Sequence, residues 1–210
     1  YTLTVTNSDN NCSSTDDVVI IQNNTSPIAD AGLDKQLDCN NSSYVLGGSS
    51  SLGASISYTW TTIDGLFDSG SSSSSPSVST PGTYDLVVSD NSNGCSATDQ
   101  VTVSEDLTYP IADAGIDGEL NCSIASLVLG GVNTSIGSEF NYLWTTSTGN
   151  ITSGNTSSNP TVDAVGMYTL LVTNSNNGCS AKDDVSISDN STLPIANAGN
   201  DKVLDCNNLS

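Results

Sequence analysis

Apolar and polar residues alternate along most of this chain in short runs that are separated by clusters of Gly, Asn and Ser. Such runs cover residues 44–46, 56–60, 84–88 and 101–103, and the same phases return at 140–144, 168–172 and 185–187. A period of two is typical of strands with one buried face, and no stretch shows a helical period. The pattern therefore predicts an all-β protein built from antiparallel β-sandwiches.

The sequence repeats itself with a period of about 84 residues. Pro-Ile-Ala-Asp-Ala-Gly begins at Pro27 and at Pro110, and it returns as Pro-Ile-Ala-Asn-Ala-Gly at Pro194. We predict the end of one repeat at 1–26, complete repeats at 27–109 and 110–193, and the start of a further repeat at 194–210. A unit of this size can bury a core of its own, so we expect a window from a longer tandem array.

Composition narrows the classes of function. The chain has 3 Lys and Arg residues, 23 Asp and Glu residues, no His and a formal charge of −20. It therefore lacks the commonest general base, and its negative charge repels nucleic acid. No apolar run is long enough to cross a membrane, and no signal peptide opens this window. We expect neither an enzyme nor a nucleic-acid-binding protein.

Four short motifs resemble those of a known family. They are the Pro-Ile-Ala-Asp-Ala-Gly opening, Leu-Gly-Gly at 46–48, Tyr-Thr-Trp at 58–60 and Pro-Gly-Thr-Tyr at 81–84. Together they resemble the polycystic-kidney-disease (PKD) type of immunoglobulin-like (Ig-like) domain, and more closely the Cys-containing PKD-like tandem repeats of very large bacterial cell-surface proteins. The resemblance covers essentially the whole chain. It implies a seven-stranded Ig-like sandwich in an extracellular stalk, adhesin or spacer.

The chain departs from that family in the loop before the Tyr-Thr-Trp motif. Many PKD domains carry an Asp-rich turn there, whereas residues 49–53 of this chain read Ser-Ser-Ser-Leu-Gly. A calcium role of the family is therefore not carried over to this loop.

The six cysteines are predicted to form disulfides, because their spacing is too wide for a zinc site and no His is present. In an Ig-like topology Cys39 lies where the chain leaves a unit and Cys95 lies where it enters, too far apart for a bond. We therefore favour a bond between neighbouring units, from Cys39 to Cys179. The other cysteines would pair outside this window or at its edges: Cys12, Cys95, Cys122 and Cys206. The alternative is one bond within each unit, Cys39 to Cys95 and Cys122 to Cys179.

Calcium is the one cofactor for which the sequence offers ligands. Asp30 and Asp34 open a unit, and Asp90 lies in a hairpin that we expect at the same end; the next unit has Asp113 and Asp117 at the equivalent opening positions. Carboxylate oxygens are calcium ligands, so a site at the junction between units is one interpretation. The other is that these residues form turns, which favour Asp and Asn.

Four aromatic residues are predicted to belong to the cores. Trp60 and Trp144 lie on the alternating apolar face of their strands, which favours burial over stacking on a sugar. Tyr84 and Tyr168 resemble the corner tyrosine of Ig folds. The Ser-rich segment at 69–77 is predicted to be a solvated loop.

These observations favour a structural role as a stalk or fibre, including one that forms filaments. We expect it at the cell surface or secreted, and we expect disulfides to stiffen it. Its partners would be neighbouring repeats of the same long chain and other copies in a fibre. The alternative is an adhesin repeat that binds a glycan or another cell surface, with or without calcium.

Overall fold

The computed structural model describes residues 1–48 and 53–202 of the chain. Most of the loop 49–53, and Cys206, lie outside the described residues. The chain divides into two compact units, Tyr1–Leu107 and Thr108–Ser210. The regular structure of the described residues is entirely β. Within these ranges there is no helix with the length and apolar character needed to span a membrane.

The first unit contains a hairpin and two sheets. Among the described residues the two strands of the hairpin pair only with each other, and the sheets have the orders β3-β9-β8-β5 and β4-β7-β6. The strands are β1 Thr2–Thr6, β2 Ser13–Asp17, β3 Lys35–Leu37, β4 Tyr44–Val45, β5 Ile56–Thr62, β6 Phe67–Ser69, β7 Ser77–Val78, β8 Gly82–Asp90 and β9 Cys95–Glu105.

The second unit has the same arrangement of two sheets, with the orders β10-β16-β15-β12 and β11-β14-β13. Its strands are β10 Gly118–Leu120, β11 Leu127–Val128, β12 Phe140–Thr146, β13 Ile151–Ser153, β14 Thr161–Val162, β15 Gly166–Asn174 and β16 Ser180–Asp189. The predicted all-β, Ig-like sandwich fold is confirmed.

Equivalent positions build the cores of the two units. The buried residues of the first core are Ala31, Leu37, Leu46, Trp60, Val78, Tyr84, Leu86, Val88, Val101 and Val103. Those of the second are Ala114, Leu120, Leu129, Trp144, Val162, Tyr168, Leu170, Val172, Val185 and Ile187. Most of them are every second residue of a strand, because successive side chains of a strand point to opposite faces of its sheet.

One pairing in each unit is parallel, whereas the sequence pattern predicted antiparallel sheets. In the first unit Lys35 pairs with Val103 and Leu37 with Glu105, so β3 runs in the same direction as β9. The second unit repeats this between β10 and β16. The first and the last strand of a unit both run from its entry end to its exit end. Since they are also neighbours in one sheet, their pairing is parallel.

The β1–β2 hairpin has the same sequence pattern as β8 and β9, but its apolar side chains are exposed. Leu3 is 64% exposed, whereas Leu86 at the equivalent position is 2% exposed. In the described residues β1 and β2 form a two-stranded sheet of their own. A hairpin without a facing sheet cannot bury its apolar side.

Candidate functional site

Cys39 and Cys95 lie at opposite ends of the first unit. Leu37 pairs with Glu105, and the backbone N–H of Asp106 donates to the carbonyl oxygen of Leu37 at 2.9 Å, so Cys39 lies beside the end of β9. Cys95 is the first residue of the same strand. Ten residues of strand span about 33 Å, while the Cα atoms of a disulfide lie within about 7 Å. The structure therefore does not bring Cys39 and Cys95 together.

The second unit separates Cys122 from Cys179 in the same way. Leu120 pairs with Asp189, and the Cys122 Sγ atom lies 4.0 Å from the carbonyl oxygen of Ser191, at the exit end. Cys179 immediately precedes β16, at the entry end. The length of β16, about 30 Å, lies between them. Cys122 and Cys179 are therefore not brought together either.

The five cysteines that the structure describes fall into two chemical states. Cys39 and Cys179 are each disulfide-bonded. Cys12, Cys95 and Cys122 are free thiols. Of these three, Cys12 and Cys122 are exposed and Cys95 is half-buried.

The hairpin cysteines at the entry ends share a local structure that the sequence analysis missed. The side chain of Asn93 accepts a hydrogen bond from the backbone N–H of Cys95 at 2.9 Å and donates to the carbonyl oxygen of Thr25 at 2.9 Å. Asn177 makes the same two bonds, to Cys179 at 3.0 Å and to Thr108 at 3.1 Å. These asparagines therefore tie the segment that enters each unit to its last hairpin.

An Asn-x-Cys triplet is the sequence signal for this tie. It occurs at 10–12, 93–95 and 177–179, and the middle residue has a positive φ each time: Asn11 at 57°, Gly94 at 78° and Gly178 at 71°. Gly and Asn adopt this left-handed conformation most readily. The repeated triplet could therefore have been recognised as a fixed turn.

The structure does not bring the predicted calcium ligands of the first unit together. Asp34 accepts a hydrogen bond from the backbone N–H of Thr102 at 2.8 Å, and Asp90 pairs with Cys95. Seven residues of β9, about 23 Å, separate these two positions. Asp30 accepts from the backbone N–H of its neighbour Gly32 at 3.0 Å, as an ordinary turn residue does.

Asp113 and Asp117 of the second unit also accept hydrogen bonds from backbone N–H groups. Asp117 accepts from the N–H of Ser186 at 2.8 Å. The backbone N–H groups of Asn133 and Gly115, with the Asn133 side chain, lower the pKa of Asp113 below its ordinary value. Similarly, the hydroxyl and then the N–H of Ser92 lower the pKa of Asp90. Among the described residues, no three His, Cys, Asp or Glu side chains form a group able to hold a metal ion.

A further pair of carboxylates holds the repeated opening motif in place. Asp99 accepts a hydrogen bond from the backbone N–H of Ala31 at 2.7 Å, and Asp183 accepts from Ala114 at the same distance. The bond from Ala31 is the largest cause of a lowered pKa of Asp99. Asp99 lies in phase with the buried Val101 and Val103, and Asp183 has the same phase in its strand. A charged residue on the apolar face of a strand was therefore the sequence signal for this pair.

The aromatic core residues use their polar atoms within the unit. The Trp60 Nε1 atom donates to the carbonyl oxygen of Ser73 at 3.1 Å, so the Ser-rich segment is tied to the core rather than only solvated. The Tyr84 hydroxyl donates to the carbonyl oxygen of Thr80, four residues upstream, at 2.8 Å. Trp144 and Tyr168 make the equivalent bonds in the second unit. Both indoles are buried and are not available for stacking on a sugar.

No protein-family signature matches the sequence, and no curated protein matches it. Among solved structures, a three-domain Ig fragment of titin, an E-to-A variant, is 14% identical with a TM-score of 0.42, and the match covers 78% of this chain and 65% of that one. The insect immune protein hemolin is 12% identical with a TM-score of 0.39, covering 90% and 56%. A Drosophila N-cadherin fragment is 11% identical with a TM-score of 0.37, covering 80% and 50%. The chain thus spans 65% or less of these three structures, and the similarity concerns the fold alone.

Proposed function

We propose that this chain is a structural segment of an extracellular repeat protein, a stalk or fibre whose neighbouring units are joined by a disulfide from Cys39 to Cys179. The bond would link the exit end of the first unit to the entry end of the second. The segment then acts as a stiff spacer and performs no catalysis.

The state of the cysteines is the observation that carries this proposal. Cys39 and Cys179 are disulfide-bonded, while Cys12, Cys95 and Cys122 are free. A bond within the first unit would require Cys12 or Cys95, and among the described cysteines a bond within the second would require Cys122; all three are free. Bonds to Cys95 or Cys122 would also have to cross about 30 Å of strand. Pairing Cys39 with Cys179 uses the two cysteines that are bonded.

The proposed bond changes the path of tension through the chain. When the two ends are pulled, tension follows the backbone to Cys39, crosses the disulfide to Cys179 and continues along the backbone. The roughly 140 residues between the two cysteines would span about 480 Å if extended, and they carry no tension. Most of both sandwiches is thereby protected from forced unfolding.

The ties at the entry ends support a fixed geometry. Asn177 holds the carbonyl oxygen of Thr108, in the segment that joins the two units, against the last hairpin of the second unit. The proposed disulfide would give the same end a second, covalent connection. Two connections restrict rotation between units more than one flexible linker does.

Disulfide bonds and strong acidity favour an extracellular setting. Stable disulfides form in oxidising compartments, and a charge of −20 keeps exposed sheet edges of neighbouring copies apart.

The resemblance to PKD-like repeats of bacterial surface proteins belongs to this proposal, as does lateral association in a fibre. The scaffold is favoured over the glycan-binding alternative because Trp60 and Trp144 are only 3% and 2% exposed.

Peptide mapping of unreduced protein tests the pairing. Cleavage at Asp and Glu, followed by mass spectrometry, should yield one peptide pair that contains Cys39 and Cys179 and disappears on reduction. A peptide pair that joins Cys39 to Cys95 would contradict the proposal.

A force-extension measurement tests the mechanical role. The chain is held by its two ends and stretched with and without a thiol reductant. The oxidised chain should show only short extensions, and the reduced chain should release about 480 Å more as both units unfold. Cys39→Ser should behave as the reduced chain does in either condition, whereas Cys122→Ser, the matched control, should remain protected until it is reduced.

A further inference from the structure

An apolar groove lies along one edge of the second unit, between β10 and β11. In the described part of the chain these are the end strands of their two sheets. The groove has a volume of about 230 Å³, and its apolar lining consists of Ala114, Ile116, Leu127, Val128, Leu129 and Ile187. Pockets for drug-sized ligands usually measure about 300–1,000 Å³. This groove therefore has room for one side chain rather than for a large organic molecule.

The groove is open because residue 118 has no side chain. A Cβ atom on Gly118 would lie 2.9 Å from the Cδ1 atom of Leu127 and 3.2 Å from the Cδ1 atom of Ile187. Any side chain at this position would thus point at the residues that line the groove. The glycine leaves that space to another molecule.

In the first unit the equivalent position carries a long side chain. Lys35 and Gly118 each begin the strand that pairs in parallel with the last strand of the unit, and Tyr44 and Leu127 each begin the next strand. The Lys35 Nζ atom lies 5.8 Å from the centroid of the Tyr44 ring. An aliphatic stem that ends in an ammonium group therefore fits between these two strands.

The charges beside the groove favour a cation. Residues 34–36 read Asp-Lys-Gln and carry no net charge, whereas residues 117–119 read Asp-Gly-Glu and carry a charge of −2. The Asp117 carboxylate lines the groove, and Glu119 lines a cavity that adjoins it at Gly118. The second unit has thus lost the cation of the first unit and gained a second carboxylate.

We infer that this groove binds a lysine side chain of a partner protein. The methylene groups of the lysine would lie against Leu127 and Ile187, and its ammonium group would lie near Asp117 and Glu119. Lysine suits such a place because its stem packs on apolar surface while its charged end stays in water. The partner is a basic protein, since a chain of charge −20 attracts a positively charged surface and repels an acidic one.

Titration of the isotope-labelled full chain with the peptide acetyl-Gly-Lys-Gly-amide, followed by NMR, tests the inference. The backbone amide signals of Gly115 and Gly118, which both line the groove, should shift and reach saturation. The same peptide with an acetylated lysine should bind about tenfold more weakly, because two carboxylates lose their charged partner. Added sodium chloride should weaken only the binding of the charged peptide.

Two variants of the chain sharpen this test. Gly118→Lys combined with Leu127→Tyr copies the first unit, fills the groove from within and should abolish the shift of Gly115. Glu119→Gln copies Gln36 and should weaken binding of the charged peptide about threefold. Because Glu119 is exposed, this second variant changes the charge and leaves the packing intact. Gln36→Glu, in the first unit, is its matched control and should leave the titration unchanged.

Four results would overturn the inference. They are equal binding of the charged and the acetylated peptide, an undiminished shift of Gly115 in the filled variant, equal affinities of Glu119→Gln and the parent chain, and no saturable shift at any soluble concentration of peptide. Shifts of Gly118 that follow the concentration of the chain and not that of the peptide would also overturn it, and would assign the groove to a second copy. None of these results depends on the cysteines, so the proposed function is tested separately.

Discussion

The side-chain amide of Asn177 donates a hydrogen bond to the carbonyl oxygen of Thr108 at 3.1 Å. These residues are far apart in sequence, and the bond fixes the segment before Pro110 against the hairpin that ends with Cys179. Asn93 does the same for Thr25 in the first unit at 2.9 Å. The path by which the chain enters a unit is therefore determined by a residue near the end of that unit.

Replacing Asn177 by Asp should release this segment. Aspartate can still accept from the backbone N–H of Cys179, but it has no donor for Thr108 and places two oxygen atoms face to face. Loss of this hydrogen bond costs about 0.5–1.5 kcal/mol. We expect faster cleavage by chymotrypsin after Leu107 in the native protein. The exposed Asn176→Asp change is the matched control, and equal cleavage rates of the two variants would contradict the tie.

Replacing Tyr84 by Phe should destabilise the first unit by about 0.5–1.5 kcal/mol, because the carbonyl oxygen of the half-buried Thr80 loses its donor. The ring is fully buried and keeps its packing, so the fold should survive. Thermal denaturation followed by near-UV circular dichroism measures the effect. Tyr109→Phe, at an exposed tyrosine, should leave the midpoint unchanged; an equal loss in both variants would count against this role of Tyr84.

The carboxylate of Asp99 should make stability depend on pH. Its pKa in the folded state is lowered, chiefly by the N–H of Ala31, so its contribution is complete above the ordinary Asp pKa of about 3.9 and is lost as the pH falls through the lower folded value. Asp99→Asn should cost about 1 kcal/mol at neutral pH. The difference from the parent protein should shrink below pH 4.

Urea denaturation of both proteins between neutral pH and pH 3 measures that difference. Comparing the two proteins cancels the general effect of neutralising a chain of charge −20. Asp9→Asn, on an exposed turn, removes the same charge and serves as the control. A difference between parent and Asp99→Asn that is independent of pH would rule out the carboxylate as its source.

The Leu-Gly-Gly motif recurs at 129–131 in the second unit, and a side chain at its second glycine should destabilise that unit. A Cβ atom on Gly131 would overlap the Asp113 carboxylate, which accepts bonds from Asn133 and Gly115 at 2.9–3.0 Å. We expect Gly131→Ala to lower the melting temperature of the second unit, because the Asp113 carboxylate must move away from its hydrogen-bond donors to make room for the methyl group. Gly53→Ala is the control for a thermal melt, since its Cβ would meet only an ordinary contact at 3.7 Å. Equal midpoints for the two variants would contradict the assignment.

Calcium should not change the stability of the chain. The candidate oxygen atoms already accept backbone hydrogen bonds, and Asp34 and Asp90 lie about 23 Å apart along β9. The melting temperature should be the same with millimolar calcium, with a chelator, and with sodium chloride of equal ionic strength. A calcium-specific rise of more than about 4 °C would show that a site had been overlooked.

The alternating pattern of Tyr84, Leu86 and Val88 was sufficient to predict the sandwich, because a long run with a period of two is typical of a strand that has one buried face. The parallel pairing of β3 could not be predicted, since its three residues show no pattern and its neighbour is chosen by the whole fold. For the same reason Asp34 was expected near Asp90, whereas its bond to Thr102 holds it far along β9. Asn177, which binds a distant backbone group, looks like an ordinary turn residue until the fold is known. Asp99 could have been singled out, because it lies in phase with the buried Val101 and Val103.

The parallel pairing of β3 with β9 has a mechanical consequence. The first strand begins near the entry end of the unit and the last strand finishes at the exit end. Once the proposed bond from Cys39 to Cys179 is reduced, pulling the ends of a unit apart therefore slides these neighbours along each other. All the hydrogen bonds between Lys35–Leu37 and 103–105 are then loaded in shear and must break together, whereas strands peeled from one end unzip one bond at a time. In this arrangement a short pair of strands resists more force than its length suggests.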